Sequence, residues 1–143
     1  MELSCCFAGH THEWHCLNLE DKIKKEVIKL IKKGVTTFYD GYHGAFDLIS
    51  SEIVWKLKKV YPNIKLIKVL SSYNPKQKHH TKYDDIIYPN LENYYHKQRI
   101  IKRNEWIIEH SDFLICHIEY THNSGAYKTY SYAKKLNKHI ICI

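Results

Sequence analysis

The fold class is decided by residues 34–49, which read GVTTFYDGYHGAFDLI. The β-branched and aromatic residues from Val35 to Tyr39 predict a strand, and Gly41 and Gly44 predict a turn after it. An apolar helical pattern begins directly afterwards at Ala45. A strand that passes through a short glycine-containing turn into a helix is typical of a parallel α/β sheet.

The rest of the chain repeats this alternation, with no linker and no internal repeat. The predicted strands are Leu3 to Ala8, Val35 to Tyr39, Ile64 to Leu70, a short one at Ile86 to Tyr88, Asp112 to Ile118 and His139 to Ile143. The predicted helices are Asn18 to Lys33 with Asn18 as N-cap, Ala45 to Tyr61, Glu92 to His110 and Ala126 to Asn137. Nearly continuous apolar strands are buried on both faces. We therefore predict an α/β fold, a single Rossmann-like domain over residues 1–143 with a parallel sheet of about five strands and helices on both faces.

Length and composition limit the classes of protein to consider. The chain has 143 residues, of which 44% are hydrophobic and 26% charged, a balance typical of a globular domain. No apolar run approaches the roughly 18 residues of a membrane span, and the first apolar stretch is too short for a signal sequence. We expect no membrane partner.

Charge and cysteine content point to a cytoplasmic protein. The net charge is +7, and 20 of the 22 basic residues are lysines. Dispersed lysines usually serve solubility, so nucleic-acid binding is an alternative and not the leading interpretation. The five cysteines include no C-x-x-C pair and lie at positions 5, 6, 16, 116 and 142. Because four of them fall in predicted strands, we predict unpaired, mostly buried thiols.

Ligands of such sheets bind at the carboxyl ends of the strands, near the point where the strand order reverses. Four segments follow predicted strand ends: Gly9 to His15, Asp40 to Asp47, Ser71 to Asp85 and Glu119 to Ala126. The first begins with Gly9, His10 and Thr11 and continues into further histidines. This loop fits a metal site, a ligand-contacting loop or plain surface. Because no matching ligand set recurs at later strand ends, we predict ligand contact and no metal.

The second segment leads directly into a helix, whose N-terminus favours anions. Gly41 and Gly44 allow a ligand to approach the backbone closely, although glycines in such turns also occur for packing alone. Asp47 lies about one turn into the helix. It can meet a ribose hydroxyl there, or it can be an acidic first-turn residue favoured by the helix dipole.

The last segment also precedes a helix, and Ser124 is a natural N-cap for it. The small residues Gly125 and Ala126 leave backbone N–H groups that can hold a phosphate. A capped helix without a ligand is the alternative.

The third helix carries the only two arginines of the chain, Arg99 and Arg103, at i and i+4 on one face. Guanidinium groups bind phosphate or carboxylate in a bidentate manner that lysine does not reproduce. We predict that at least one of them binds a ligand, together with the neighbouring Asn104. A surface salt bridge to Glu105 or Glu109 is the alternative.

Taken in order along the chain, these segments resemble the SLOG superfamily, the Rossmann-like group that contains the Smf/DprA and LOG proteins, and most of all its small YpsA-like branch. The matching stretches are Cys6 to His10, Gly41 to Asp47, Lys65 to Leu70, Lys82 to Asp84, Arg103 to Ile108, Ser111-Asp112, Ser124 to Ala126 and Tyr132 to Lys135. The resemblance covers nearly the whole chain and implies a pocket for a nucleotide or nucleotide derivative over the strand ends.

The resemblance also implies specific roles and exposes one departure. LOG proteins remove ribose phosphate from nucleoside monophosphates with an arginine, for which Arg103 or Arg99 is the match, and a glutamate after a glycine-rich loop. This chain has Tyr130 and Ser131 near the glutamate position, and Glu119 is the nearest acid. Any catalytic residues would be Arg103 and Glu119. Other SLOG proteins sense nucleotide signals such as cyclic ADP-ribose derivatives in antiphage defence, and others bind single-stranded DNA.

Three hypotheses follow for function. The first is a sensor or sequestering module for a nucleotide-like small molecule, an ADP-ribose-like compound or a nucleoside phosphate. The second is an N-glycosidic phosphoribohydrolase, which needs an acid beside the ribose. The third is single-stranded DNA binding through lysines and stacked tyrosines. We predict the first, with no cofactor, and expect a homo-oligomer, a dimer.

Overall fold

A computed structural model describes residues 2–10, 18–41, 43–78, 81–119 and 124–143. The strands are β1 (Leu3–Ala8), β2 (Val35–Asp40), β3 (Lys65–Val69), β4 (Asp85–Ile87), β5 (Phe113–Cys116) and β6 (His139–Cys142). The helices are α1 (Leu19–Lys32), α2 (Ala45–Leu57), α3 (His96–Glu109) and α4 (Gly125–Lys135). The predicted alternation of strand and helix is confirmed, with element ends shifted by a few residues.

All strand pairs are parallel, and the sheet has the order β4-β3-β2-β1-β5-β6. The predicted count of about five strands is wrong, because the short segment β4 pairs with β3 and makes the sheet six-stranded. Leu70 N donates to Ile87 O at 2.8 Å, and Asp84 N donates to Leu66 O at 2.8 Å. This backbone pairing makes the short strand predicted at Ile86 to Tyr88 a member of the sheet, with bounds one residue earlier.

The helices cover both faces of the sheet, as predicted. Helices α1 and α2 pack on one face, in a core that includes Ile23, Phe38 and Phe46. Helices α3 and α4 pack on the other face, in a core that includes Ile107 and Leu114. Within the described parts of the chain, no helix is both long enough and apolar enough to cross a membrane.

Helix α1 begins after its predicted N-cap residue. Asn18 occupies the N-cap position, its backbone is left-handed with a φ of 61°, and its side chain makes no capping hydrogen bond. This backbone conformation does not direct the side chain at the first N–H groups of the helix. At the other end Gly34 has a φ of 109°, which glycine adopts without a Cβ clash.

The cysteines only partly match the prediction of unpaired, mostly buried thiols. Cys5, Cys6 and Cys116 are free and buried, whereas Cys142 is free and exposed. The prediction of burial is wrong for Cys142, because β6 is the edge strand of the sheet and has no strand beyond it. Burial raises the pKa of the Cys6 thiol to about 12. Cys16 lies outside the described residues.

Candidate functional site

The strand order reverses between β1 and β5. From β1 the chain builds outward to β4, and it then returns to place β5 and β6 on the other side of β1. Ala8 and Cys116 are register partners at the carboxyl ends of these two strands, and His117 N donates to Ala8 O at 3.0 Å. The residues that follow both strands therefore meet at the position where such sheets bind ligands.

At this position His10 and Glu119 hold the two strand ends together. His10 is only 6% exposed, and its Nε2 accepts a hydrogen bond from Glu119 N at 2.7 Å. A ring nitrogen that accepts from a backbone N–H carries no proton, so His10 is a neutral imidazole with its proton on Nδ1. The predicted ligand-binding residue His10 thus has a structural contact through one of its two ring nitrogens.

Glu119 and His117 form an ion pair beside this contact. Glu119 Oε1 lies 3.1 Å from His117 Nε2, and His117 Nδ1 lies 2.9 Å from Ile143 O. A backbone carbonyl accepts and never donates, so Nδ1 carries a proton. The second ring nitrogen, Nε2, faces the Glu119 side chain, so His117 joins Glu119 to the end of β6.

Helix α4 is the next element of the chain after β5, so its N-terminus lies on the carboxyl-end side of the sheet. Ser124 is its N-cap, as predicted, and Ser124 Oγ accepts from Tyr127 N at 3.0 Å. The first N–H groups of a helix, here those of Gly125 and Ala126, have no intrahelical acceptor. Among the residues that the structure describes, no heavy atom lies within 4 Å of a Cβ added at Gly125, so these residues leave space open above it. We call the group of His10, His117, Glu119, Ser124 and Gly125 the switch-point site.

A second polar group lies at the carboxyl ends of β2 and β3. Asp40, which is 2% exposed, is the register partner of the buried Lys68. Tyr83 Oη donates to Asp40 Oδ2 at 2.6 Å, and Lys68 Nζ lies 5.6 Å from the Tyr83 ring centre. Arg103 is 4% exposed, and its Nη1 donates to Gly41 O at 2.9 Å.

Asp47 completes this group from the first turn of α2. Its Oδ2 accepts from His43 N at 3.0 Å. Burial, and then the nearby Asp40 carboxylate, raise the pKa of Asp47, whereas the His43 N–H and Arg103 act in the opposite direction. Burial lowers the pKa of Arg103, and Asp47 and Asp40 partly offset that effect. We call this group the buried charge cluster; its members are Asp40, Asp47, Lys68, Tyr83 and Arg103.

The predicted glycines of the strand ends are required by internal packing. A Cβ at Gly9 would lie 2.0 Å from Phe46 Cγ, and a Cβ at Gly41 would lie 2.9 Å from Arg103 Cζ. Gly44 is the N-cap residue of α2 and has a φ of 93°. Neighbouring protein atoms at Gly9 and Gly41, and the backbone conformation at Gly44, favour glycine over a residue with a Cβ. These reasons hold whether or not a ligand is bound.

The two arginines of α3 serve different places. Arg99 Nε donates to Tyr94 O at 2.8 Å and its Nη2 to Glu92 O at 3.1 Å, so Arg99 fastens the segment before α3. Arg103 Nε donates to Asn104 Oδ1 at 3.1 Å, in addition to the contact with Gly41. The structure brings Gly41, Asp47 and Arg103 together and leaves Arg99 outside that group.

The alternative salt bridge from these arginines to Glu105 or Glu109 is not formed. Glu105 Oε1 instead lies 3.2 Å from Lys102 Nζ, and Glu109 Oε2 accepts from Tyr132 Oη at 3.2 Å. Asn104 and Gly125 both line a cavity of about 390 Å³ between α3 and α4. Asn104 therefore faces the same space as the start of α4.

The rest of the predicted histidine-containing loop lies outside the described residues. Thr11 lies outside the described residues, as do the histidines at positions 12 and 15. Within the ranges that the structure describes, no group of three or more histidine, cysteine, aspartate or glutamate residues could hold a metal ion.

Comparison with known proteins depends on structure. No family model matches the sequence, and no curated protein matches it. Among solved structures, DNA processing protein A (DprA) from Helicobacter pylori, reported with a single-stranded DNA binding mode, has a TM-score of 0.69 at 17% identity over 98% of this chain and 64% of its own. The protein TM1055 has a TM-score of 0.62 at 13% identity over 96% of this chain and 72% of its own. The molybdenum cofactor carrier protein of Chlamydomonas reinhardtii has a TM-score of 0.62 at 11% identity, over 99% of this chain and 76% of its own.

All three neighbours fit one superfamily, and the ordered sequence segments resemble the same one. The chain shares the fold of these three proteins. At these identities the likeness establishes the fold alone. The chain spans less than two thirds of the DprA chain that it matches.

Within this fold, the motif Lys82 to Asp84 has a structural explanation that sequence reasoning missed. Lys82 Nζ donates to Ser51 Oγ at 2.8 Å, and Tyr83 reaches Asp40. Asp84 Oδ2 accepts from Leu66 N at 2.8 Å. Through these three hydrogen bonds the motif connects the segment before β4 to α2, β2 and β3.

His117 was missed as a functional residue as well. The available signal was His-x-Glu at a strand end, from His117 to Glu119, since alternate residues after a strand point to the same side. Lys68 was read only as part of an apolar strand, although a lysine within such a strand is itself a signal for a paired, buried charge.

Proposed function

We propose that the chain binds a nucleotide or nucleotide-derived small molecule, an ADP-ribose-like compound or a nucleoside phosphate, at the carboxyl ends of its strands. It acts as a sensor or as a sequestering module. The observation that carries the proposal is topological: α4 follows β5 in a parallel sheet, so its N-terminus lies on the carboxyl-end side of the sheet, the side on which the His117–Glu119 pair follows β5. Helix N-termini at this position bind phosphate groups in α/β sheets.

The chemistry of the switch-point site suits the separate parts of a nucleotide. The N–H groups of Gly125 and Ala126 and the positive end of the α4 dipole suit a phosphate. The exposed Glu119 carboxylate accepts hydrogen bonds, and ribose hydroxyls donate them.

The buried charge cluster holds the turn between β2 and α2 at the same edge of the sheet as the switch-point site. Arg103 donates to Gly41 O and lies near the carboxyl groups of Asp47 and Asp40. These contacts hold the turn between β2 and α2, and the chain as a whole carries a net charge of +7. A basic protein raises the local concentration of a phosphorylated ligand.

The sharpest test uses Gly125, because a side chain there meets no other atom within 4 Å. Isothermal titration calorimetry with AMP, ADP-ribose and cyclic dinucleotides would identify the ligand for wild type. Gly125→Asp should then weaken binding at least tenfold, about 1.4 kcal/mol, since it places a carboxylate where the phosphate would lie. The same substitution should preserve or raise thermal stability, because acidic residues favour a helix N-terminus.

Gly125→Asn is the matched control, with the same shape and no charge. It should keep most of the affinity. Equal dissociation constants for wild type and Gly125→Asp would contradict a phosphate site at α4, and no binding by wild type to any compound would contradict the proposal as a whole.

Single-stranded DNA binding is the second candidate, and exposed tyrosines on the β4 side favour it. Tyr95 is 83% and Tyr73 is 63% exposed, and the Tyr73 and Tyr88 ring centres are 5.9 Å apart. Lys102 Nζ lies 5.5 Å from the Tyr94 ring centre. Aromatic faces with nearby lysines are a platform for unpaired bases.

DprA is described with single-stranded DNA, and the molybdenum cofactor carrier protein by its cofactor, so neighbours with this fold differ in ligand. Fluorescence anisotropy with a labelled oligothymidine separates the two candidates. DNA binding through the tyrosines should fall steeply with salt and weaken in Tyr95→Ala, with Gly125→Asp unchanged. The YpsA-like likeness, the dimer and the cytoplasmic location stay predictions.

A further inference from the structure

Two cysteines lie side by side in the last two strands of the chain. Cys116 in β5 and Cys142 in β6 are register partners, and their Sγ atoms are 3.5 Å apart. Neighbouring strands lie about 4.8 Å apart, within the Cα separation of about 4.4–6.8 Å that disulfides span. The sulfur atoms need to approach by only about 1.5 Å to reach bonding distance.

The two thiols differ in access to solvent. Cys142 is exposed on the edge strand, and Cys116 is buried beneath it. Cys5 and Cys6 are also buried, and neither has a cysteine as register partner in the neighbouring strands. An oxidant in solution therefore reaches Cys142 first, and Cys116 is the thiol in position to react next.

We propose that Cys116 and Cys142 form a reversible disulfide when the protein meets a hydroperoxide. The Cys142 thiolate attacks the terminal peroxide oxygen, the O–O bond breaks, and Cys142 becomes a sulfenic acid; the leaving oxygen takes a proton from solvent and departs as an alcohol, or as water when the oxidant is hydrogen peroxide. Cys116 then loses its proton and attacks the Cys142 sulfur, the S–O bond breaks, and the sulfenic oxygen leaves as water. Two thiols are oxidised by two electrons, which the peroxide receives.

Burial sets the order and the speed of these steps. Burial, and then the contact with Cys142, raise the pKa of the Cys116 thiol, so its thiolate is scarce at neutral pH. Cys116 is therefore the resolving thiol and not the attacking one. Disulfide formation should be slower than sulfenic acid formation and should accelerate with rising pH.

The bond would lie directly below the switch-point site. Ile143 N donates to Cys116 O at 3.0 Å, and His117, the residue after Cys116, contacts Ile143 O through Nδ1. A disulfide at this level joins β5 to β6 one residue before His117. Oxidation therefore acts on the backbone that holds the His117–Glu119 pair.

The test treats the reduced, full chain with a slight molar excess of hydrogen peroxide. Remaining thiols are then blocked with N-ethylmaleimide, and peptides are mapped by mass spectrometry without reduction. The expected product is a linked peptide pair that contains Cys116 and Cys142, which disappears on treatment with dithiothreitol. Cys5 and Cys6 should remain alkylated in the denatured, blocked protein.

Cys142→Ser and Cys116→Ala distinguish the roles of the two thiols. Cys142→Ser, at an exposed position, should fold normally and leave Cys116 as an unoxidised thiol. Cys116→Ala should trap Cys142 as a sulfenic acid that dimedone labels. Cys116 and Cys142 both alkylated after peroxide treatment of wild type, or a disulfide linking any other pair, would overturn the proposal.

Discussion

The switch-point site and the buried charge cluster lie at the same edge of one sheet, yet they treat charge in opposite ways. In the cluster, Asp40 and Arg103 are at most 4% exposed, and each contacts other polar groups of the protein. At the switch point, Glu119 is exposed and space is open above Gly125. One group is closed on itself, and the other faces solvent.

This difference shows which charged residues serve folding and which are available to a ligand. Breaking a buried set of charges leaves an uncompensated charge in the interior, which is strongly destabilising. Exposed ion pairs contribute little to stability and can exchange their partners for a ligand. We therefore expect substitutions in the cluster to lower stability, and substitutions of the exposed switch-point residues Glu119 and Gly125 to change binding and leave stability nearly unchanged.

The largest expected effect is the loss of stability in the variant Arg103→Met. Removing the guanidinium takes away a buried cation that interacts with Asp47 and Asp40, and we expect the free energy of unfolding to fall by about 3–5 kcal/mol. Urea denaturation measures it. Lys102→Met is the control on the same helix, and it should change little because Lys102 pairs with Glu105 at the surface. Equal stability of Arg103→Met and wild type would show that the cluster is not closed on itself and would favour a ligand role for Arg103.

A smaller loss is expected from Gly9→Ala at the end of β1. The new Cβ would collide with Phe46, whose Cγ lies 2.0 Å from its position, and overpacking of this kind costs about 1–3 kcal/mol. Thermal or urea unfolding measures the loss. Gly125→Ala is the matched control, because its Cβ meets no neighbour and alanine favours a helix. If both alanine variants were equally stable, Gly9 would be free of packing constraint and available to a ligand.

The variant Glu119→Gln tests whether an exposed residue of the switch-point site contributes to stability or to catalysis. The side chain is exposed and keeps its shape, so we expect the free energy of unfolding to change by under about 0.5 kcal/mol. Wild type should release no free base from AMP or CMP beyond a single turnover, because no glutamate lies where LOG proteins have one. Chromatography after long incubation with stoichiometric protein measures this.

A different result would support the hydrolase hypothesis. Free base formed over many turnovers by wild type, and lost in Glu119→Gln by the factor of about 10²–10⁴ that acid–base catalysis supplies, would make Glu119 the catalytic acid.

The smallest expected effect is a change in pH dependence, in Asp47→Asn. The pKa of Asp47 is raised by folding, so between the unfolded value of about 3.9 and the folded value the native state binds more protons than the unfolded state. The contribution of Asp47 to stability is therefore greatest below the unfolded pKa and is lost as the pH rises through the folded pKa. Urea denaturation from mildly acidic to neutral pH should show a shallower decline with pH for Asp47→Asn than for wild type. A steeper decline would mean that Arg103 holds Asp47 ionised.

The sequence by itself determined the fold class, the order of the elements and the two faces of the sheet. These features are local, since the apolar period and the turn residues that flank each element are written in neighbouring residues. Val35 to Tyr39 followed by glycine and an apolar helix pattern was sufficient to predict β2 and α2. Ser124 as the cap of α4 was predicted in the same way, because its hydrogen bond reaches only three residues along the chain.

Only the tertiary structure decided which predicted site residues have partners. Arg99 and Arg103 are equivalent in sequence, four residues apart on one helix, but Arg103 alone meets Gly41, which is 62 residues away along the chain. The pairing of β4 with β3, the exposure of Cys142 and the contact of His10 with Glu119 likewise depend on strand order. A side-chain pattern records which face of an element is apolar, but it does not record which distant backbone lies beside it, because that is set by packing of the whole sheet.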